Sequence, residues 1–318
     1  MDYRQLRIVF MGTPEFAAAS LDALVTAGCK VVGVITAPDK PGGRGMQLQQ
    51  SAVKQYAVAH QLPVLQPPKL KDPAFLEALR HLNADLQIVV AFRMLPELVW
   101  NMPPMGTINV HGSLLPQYRG AAPINWAIIN GEEETGVTTF KLRHEIDTGN
   151  ILMHARIDIG KDETAGGLHD RMKMIGAGLL LETIQQLAAG ELEEITQSML
   201  EVDPILVRHA PKIFTETCQI NWEDTVNNIY NHIRGLSPYP AAFTTLEGKT
   251  LKIFAAAKEH TQPAETPGSY STDYKTGLKF AASDGYIHAK DIQLQGKKRM
   301  PVGDFLRGYH FAQNDTSI

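Results

Sequence analysis

Along the chain, short, mostly apolar runs alternate with stretches in which apolar positions recur every three or four residues. The runs 6–10 and 31–35 bracket a helical pattern carried by Phe16, Leu21, Leu24 and Val25, and the run 86–92 follows a helix predicted near 74–82. Strand, helix and strand in that order predict βαβ units and a parallel sheet, an α/β architecture. Residues 107–110 read as the end of a buried strand, which Gly112 and Pro116 do not let continue. Further on come a strand over 151–157 and a long helix over Ala165–Ala189. Leu168, Met172, Ile175, Leu179 and Ile184 suit one buried face of that helix, and Gly190 is its stop.

From about residue 211 the pattern changes. An amphipathic segment at 225–233 precedes Gly235-Leu236-Ser237-Pro238-Tyr239-Pro240, and then come strand-like runs at 242–246, 251–256, 278–282 and 286–292. Short strands divided by Gly, Pro, Asn and Asp predict a small β-barrel. Between the two patterns, 191–210 carries acidic residues, Pro204 and no sustained period, as a linker would. The expected division is therefore 1–190, a linker at 191–210, and 211–318.

Composition agrees with two domains: 318 residues at 44% hydrophobic can build two buried cores. No window approaches a membrane span, and Ile8 to Met11 is too short for a targeting core. Two cysteines without a Cys-x-x-Cys fit a reducing compartment, so the expectation is a cytoplasmic protein with no membrane partner. The net charge of −4 leaves neither part strongly basic. Any nucleic-acid contact would rest on local patches such as Lys40 with Arg44, or Lys297-Lys298-Arg299.

The candidate chemistry lies where the strand at 107–110 ends. Residues two apart on a strand share a face, so the Asn109 amide and the His111 imidazole point the same way, at the position where open α/β sheets bind ligands. The amide can donate to an oxyanion, and the imidazole can donate or pass a proton. A nearby carboxylate can orient the imidazole or accept a proton through water, and Asp147-Thr148-Gly149 follows thirty-six positions after His111. No nucleophile is evident: Cys29 and Cys218 are distant in sequence, and Ser113 lacks a Gly-x-Ser-x-Gly elbow. The set suits acyl transfer to an external amine. A metal site from His111, His144, His154 and Asp147 is the other reading, although the spacing matches no familiar zinc signature, and no metal is expected.

The segment 109–124, Asn-Val-His-Gly-Ser-Leu-Leu-Pro-Gln-Tyr-Arg-Gly-Ala-Ala-Pro-Ile, together with Asp147-Thr148-Gly149, resembles the folate-dependent formyltransferases. The resemblance runs from about Leu6 into the C-terminal region, where Arg234-Gly235 and the Pro-rich turn also fit. It implies a Rossmann-like, mostly parallel sheet in an N-terminal formyltransferase domain and a small OB-like β-barrel after it. It also implies catalytic roles for Asn109, His111 and Asp147, and 10-formyltetrahydrofolate as co-substrate. The folate would lie against Phe92, Arg93, Met94 and Leu95 and against Ser113, Leu114, Leu115 and Pro116. The implied acceptor is initiator methionyl-tRNA, with Lys40 and Arg44 as tRNA contacts and the protein acting as a monomer. Alternatives that stay open are a sugar-nucleotide N-formyltransferase, a hydrolase of the formyl folate, and a non-catalytic RNA-binding protein.

Two loops narrow the choice. The first βα turn, Met11-Gly12-Thr13-Pro14-Glu15-Phe16, lacks the Gly-x-Gly-x-x-Gly series, and Glu15 sets a negative charge where a pyrophosphate would bind. Both features argue against a nicotinamide dehydrogenase. Family members that formylate a phosphorylated ribose amine carry a glycine- and serine-rich phosphate loop at this turn, which is absent here. The second loop, 36–47, is long, glycine-rich and basic at its tip, the expected form of a mobile functional loop.

Overall fold

The computed structural model describes residues 1–42, 47–200 and 207–311. The chain opens with β1 (Arg7–Gly12), α1 (Glu15–Thr26), β2 (Lys30–Ile35), β3 (Lys40–Gly42), β4 (Gln47–Gln49), α2 (Ala52–Ala59) and β5 (Val64–Leu65). Next come α3 (Pro73–His81), β6 (Leu86–Val90), α4 (Glu97–Trp100), β7 (Thr107–His111), β8 (Arg119–Gly120), α5 (Pro123–Ile129), β9 (Glu134–Lys141), β10 (Ile151–Asp158) and α6 (Ala165–Ala189). The remainder comprises β11 (His209–Ala210), α7 (Val226–Leu236), β12 (Ala242–Leu246), β13 (Lys249–Glu259), β14 (Tyr270–Thr272), β15 (Leu278–Ala281), β16 (Tyr286–Leu294), β17 (Met300–Pro301) and α8 (Val302–Gly308). These elements form two compact units. The first comprises Met1–Gly120, Glu134–Asp158 and His169–His209, and the second Ala121–Glu133, Ile159–Leu168 and Ala210–Ile318.

The first unit is built on a seven-stranded sheet in the order β10-β9-β7-β6-β1-β2-β5. β7, β6, β1, β2 and β5 pair in parallel, while β9 runs antiparallel to both β7 and β10. The expected mostly parallel α/β sheet is thus present. β9 escaped the sequence reading because Thr135, Thr138 and Thr139 are buried in it, so the run looks polar. Their hydroxyls are nevertheless satisfied where they matter most: Thr139 shares a hydrogen bond of 2.8 Å with Thr183 of α6, and Thr138 donates to the Ser113 carbonyl at 2.7 Å. The long helix has the expected bounds and ends before Gly190 at φ +74°, and Leu168, Met172, Leu179 and Ile184 are buried. Ile175 is only half-buried.

Two expected loops have more structure than their composition suggests. In the 36–47 segment, β3 and β4 pair as an antiparallel ribbon, Lys40 opposite Gln49 and Gly42 opposite Gln47. Gly43, Arg44, Gly45 and Met46 lie outside the described residues. The first half of the expected linker packs onto the first unit, since Ile195 exchanges backbone hydrogen bonds of 2.8 and 2.9 Å with Ile151, and Gln197 is buried. A hydrophobic period is no guide to such a segment, because backbone pairing and one polar side chain hold it.

The second unit has a sheet ordered β12-β13-β16-β15-β14, with β17 on β16, a half-barrel of antiparallel strands. The Thr225 hydroxyl caps α7 by accepting the Asn228 N–H at 3.3 Å. Val226, Ile229, Ile233 and Leu236, spaced for one helix face, are buried with Leu251, Ile253, Phe280, Ile287 and Ile292 of the sheet. The four strands expected here are present. β14 and β17 were not expected, being only three and two residues long.

Candidate active site

Asn109 and His111 stand on β7, an interior strand of the first unit's sheet, with His111 its last residue. β7 is laddered on both sides, Asn109 opposite Val89 of β6 and Phe140 of β9, and His111 opposite Thr138. On the opposite face, Val110 lies against α6 at Gly176, where an added Cβ would sit 3.3 Å from its Cγ1. The pleat therefore sends Asn109 and His111 to the face away from α6. Asn109 is half-buried, and its side-chain amide has no hydrogen-bond partner among the described residues. His111 is 6% exposed, with the Phe140 ring edge-on at 6.4 Å.

The turn after β7 fixes the imidazole. The Thr138 hydroxyl donates to the Ser113 carbonyl and accepts the Leu115 N–H at 3.2 Å, while the Ser113 hydroxyl donates to the Gln117 carbonyl at 2.6 Å. The turn delivers Tyr118, at φ +58°, with its carbonyl 2.9 Å from His111 Nε2. A carbonyl only accepts, so Nε2 carries the proton and, in the neutral ring, Nδ1 is left as an acceptor. Nδ1 lies 3.8 Å from Oδ2 of Asp147. Two residues past Tyr118, the Gly120 N–H donates to that same Oδ2 at 3.0 Å.

Asp147 arrives by a different route. The chain leaves β9 at Lys141 and folds back before β10, leaving Asp147 buried at φ +55°. Gly149 makes the fold-back feasible: a Cβ there would lie 1.6 Å from the Lys141 carbonyl oxygen. Asn150 donates to Glu194 at 2.9 Å, and Lys141 also hydrogen-bonds Glu194, whose carboxyl is thereby held below its usual range, chiefly by Lys141. Sequence reasoning missed Gln197, whose amide donates to the carbonyls of Asp147 and Gly149 and accepts from Arg119. A lone glutamine in a segment without period gives no sequence signal.

The structure therefore brings Asn109, His111 and Asp147 to one face. The other expected site residues are distributed more unevenly. Phe92, Arg93, Met94 and Leu95 follow the C-terminal end of β6, beside β7. Met94 is 75% exposed, whereas Phe92 and Leu95 pack with the core under α3 and α4. Nη1 and Nη2 of Arg93 donate to the Pro68 and Pro67 carbonyls, Nε is buried without a partner among the described residues, and the guanidinium lies over the Phe92 ring at 5.4 Å. Partial burial also lowers its pKa. Ser113, Leu115 and Pro116 are buried within the turn, and Leu114 is half-buried. Lys40 is exposed on β3, and Arg44 lies outside the described residues. His144 instead faces Glu97 at 3.9 Å, His154 is exposed on β10, and no group of three or more potential ligands that could hold a metal ion occurs among the described residues. Nor is any described helix long and apolar enough to cross a membrane.

Comparison with known proteins matches residues 6–184 to the formyl transferase domain and residues 212–310 to the formyl transferase C-terminal domain. A methionyl-tRNA formyltransferase of Parabacteroides distasonis is 56% identical over 315 residues, covering 97% of each chain. One from Bacteroides fragilis is 52% identical over 318 residues, covering 98% of each. Among solved structures, the N-formyltransferase of Helicobacter canadensis in complex with folinic acid and dTDP-3-aminofucose aligns at TM-score 0.67 and 22% identity, over 90% of this chain and 99% of that one. HypX of Aquifex aeolicus in complex with tetrahydrofolic acid aligns at 0.65 and 18%, over 96% of this chain and 48% of that one. At these identities the two structures share the fold.

Proposed function

The chain belongs to the formyl transferase family, and from that premise we infer that it transfers the formyl group of 10-formyltetrahydrofolate to the α-amine of methionyl-tRNA, initiator methionyl-tRNA being the acceptor. The observation that carries the chemistry is an unpartnered amide, Asn109, two residues along one strand from a histidine whose tautomer is fixed and which faces a carboxylate.

As the amine attacks, negative charge gathers on the formyl oxygen. The Asn109 N–H donates to it from a strand that need not rearrange. With Nε2–H held by the Tyr118 carbonyl, every change of His111 happens at Nδ1: the neutral ring can take the proton released by the ammonium, and the imidazolium can donate to the oxyanion. Asp147 faces that atom, close enough to orient Nδ1–H or to pass the proton on through water. As the tetrahedral intermediate collapses, the bond from the formyl carbon to N10 breaks and N10 takes up a proton, leaving as tetrahydrofolate. The turn at 92–95 and the 113–116 segment would flank the folate through their main-chain groups, since Ser113, Leu115 and Pro116 are buried within their turn and the half-buried Arg93 holds the Pro67 and Pro68 carbonyls. Lys40, with Arg44 four residues on in sequence, would contact tRNA phosphates.

The test is to supply 10-formyltetrahydrofolate with methionyl-tRNA, with an amino-sugar nucleotide, or with no acceptor. Formyl-methionyl-tRNA should accumulate in the first reaction alone. Formylated sugar in the second reaction, or release of free formate in the third at a comparable rate, would replace this reading.

A further inference from the structure

Gln197 is 2% exposed and carries no role in the chemistry above. Its Nε2 donates to the carbonyls of Asp147 and Gly149, each at 2.8 Å, and its Oε1 accepts from Nε and Nη2 of Arg119 at 3.0 and 2.6 Å. Both N–H donors and both acceptor positions of the amide are thus in use. Its orientation is forced as well, because carbonyls only accept and a guanidinium only donates, so a flipped amide would face like against like at all four contacts.

We propose that Gln197 is a positioning residue for Asp147, clamping the backbone of the aspartate turn so that its carboxylate meets His111. Asp147 is held at two points. Gly120 N–H binds the carboxylate at 3.0 Å, Gln197 binds the carbonyl, and Arg119 links the two because it is covalently next to Gly120 and hydrogen-bonded to Gln197. Such a clamp has something to resist. Asp147 sits at φ +55°, a region L-residues seldom enter, and an unclamped turn would relax away from it. A displacement of about 1 Å at a reacting group can cost on the order of a hundredfold in rate.

The inference rests on Asp147 being the carboxylate that serves His111, and the experiment separates the two ideas. Turnover and KM are measured for Gln197→Ala, Gln197→Glu, Asp147→Asn and the two double variants, with thermal melting of each. Glutamate at 197 keeps the shape and the Arg119 partner but loses both donors. Both single variants at 197 should lose roughly ten- to a hundredfold in kcat with KM for the formyl donor unchanged. In the Asp147→Asn background neither should cost anything further, because the group being positioned is already gone. A Gln197→Glu enzyme with wild-type kcat, or losses that multiply with Asp147→Asn, would overturn the clamp alone. Wild-type turnover in Asp147→Asn would instead overturn the role of Asp147, and the clamp with it. If Gln197→Ala fails to fold, the isosteric glutamate variant carries the test.

Discussion

The two halves of the site reach one another by opposite means. Asn109 and His111 sit on β7, gripped by backbone ladders to β6 and β9, so their directions follow from the pleat. Asp147 sits on a turn outside any strand, at positive φ, located by Gly120, Gln197 and the close pass of Gly149 over Lys141. A strand position tolerates loss of a side chain because the backbone holds itself. A turn position depends on every side-chain contact that fixes it, so the chemistry of Asn109 should be sensitive only at its own amide, and chemistry at Asp147 also at residues that never touch substrate.

The largest effect is expected on the strand. Asn109→Ala removes one oxyanion donor without disturbing β7, so kcat should fall roughly a hundred- to a thousandfold with thermal stability unchanged. Steady-state kinetics and melting together check this, and near wild-type kcat would remove Asn109 from the chemistry. Next comes Gly149→Ala. Its Cβ cannot coexist with the Lys141 carbonyl at 1.6 Å, so the turn must move, with a turnover loss of about tenfold or more and a lowered melting temperature. If this variant retains both, the turn is not the fragile half and the contrast fails.

A smaller effect, on binding and not on chemistry, is expected in the segment after β2. Arg44→Ala, and separately Lys40→Ala, should weaken methionyl-tRNA binding and leave folate binding unchanged. Each should also flatten log affinity against log salt by up to about one unit for every phosphate the variant no longer neutralises. Affinity across a salt series reads this, and an unchanged slope leaves the segment without an RNA role.

The smallest effect concerns the far end of the aspartate turn. The Glu194 carboxyl is held below its usual range by its hydrogen bond from Lys141, aided by Asn150 and opposed by partial burial. A group with a depressed folded-state pKa stabilises the fold above its unfolded pKa, and that stabilisation is lost as pH falls through the folded value. Glu194→Gln should therefore lower the melting temperature slightly at neutral pH, with the gap from wild type closing as the solution is acidified. A gap that stays constant with pH would mean that charge has no part in holding the turn.

The sequence by itself determined four of the five parallel strands of the first sheet, the bounds of α6, the four longer strands of the second unit and the pairing of Asn109 with His111 on one face. Each follows from local periodicity, which survives tertiary packing because it is set by burial on one side of an element. Family resemblance added Asp147, which no spacing argument could bring to His111. Tertiary structure alone decided the rest. β9 is buried yet threonine-rich, with Thr138 and Thr139 hydrogen-bonded to residues far along the chain. Two segments, Ala121–Glu133 and Ile159–Leu168, group with the second unit although they lie inside the stretch that reads as the first. The proton on Nε2 of His111 depends on a carbonyl seven residues away, presented by a left-handed Tyr118, and Asp147 is held through a glutamine fifty residues on. Hydrogen bonds of this kind join single polar groups across the chain and leave no periodic trace, so they become legible only once the backbone has brought the groups together.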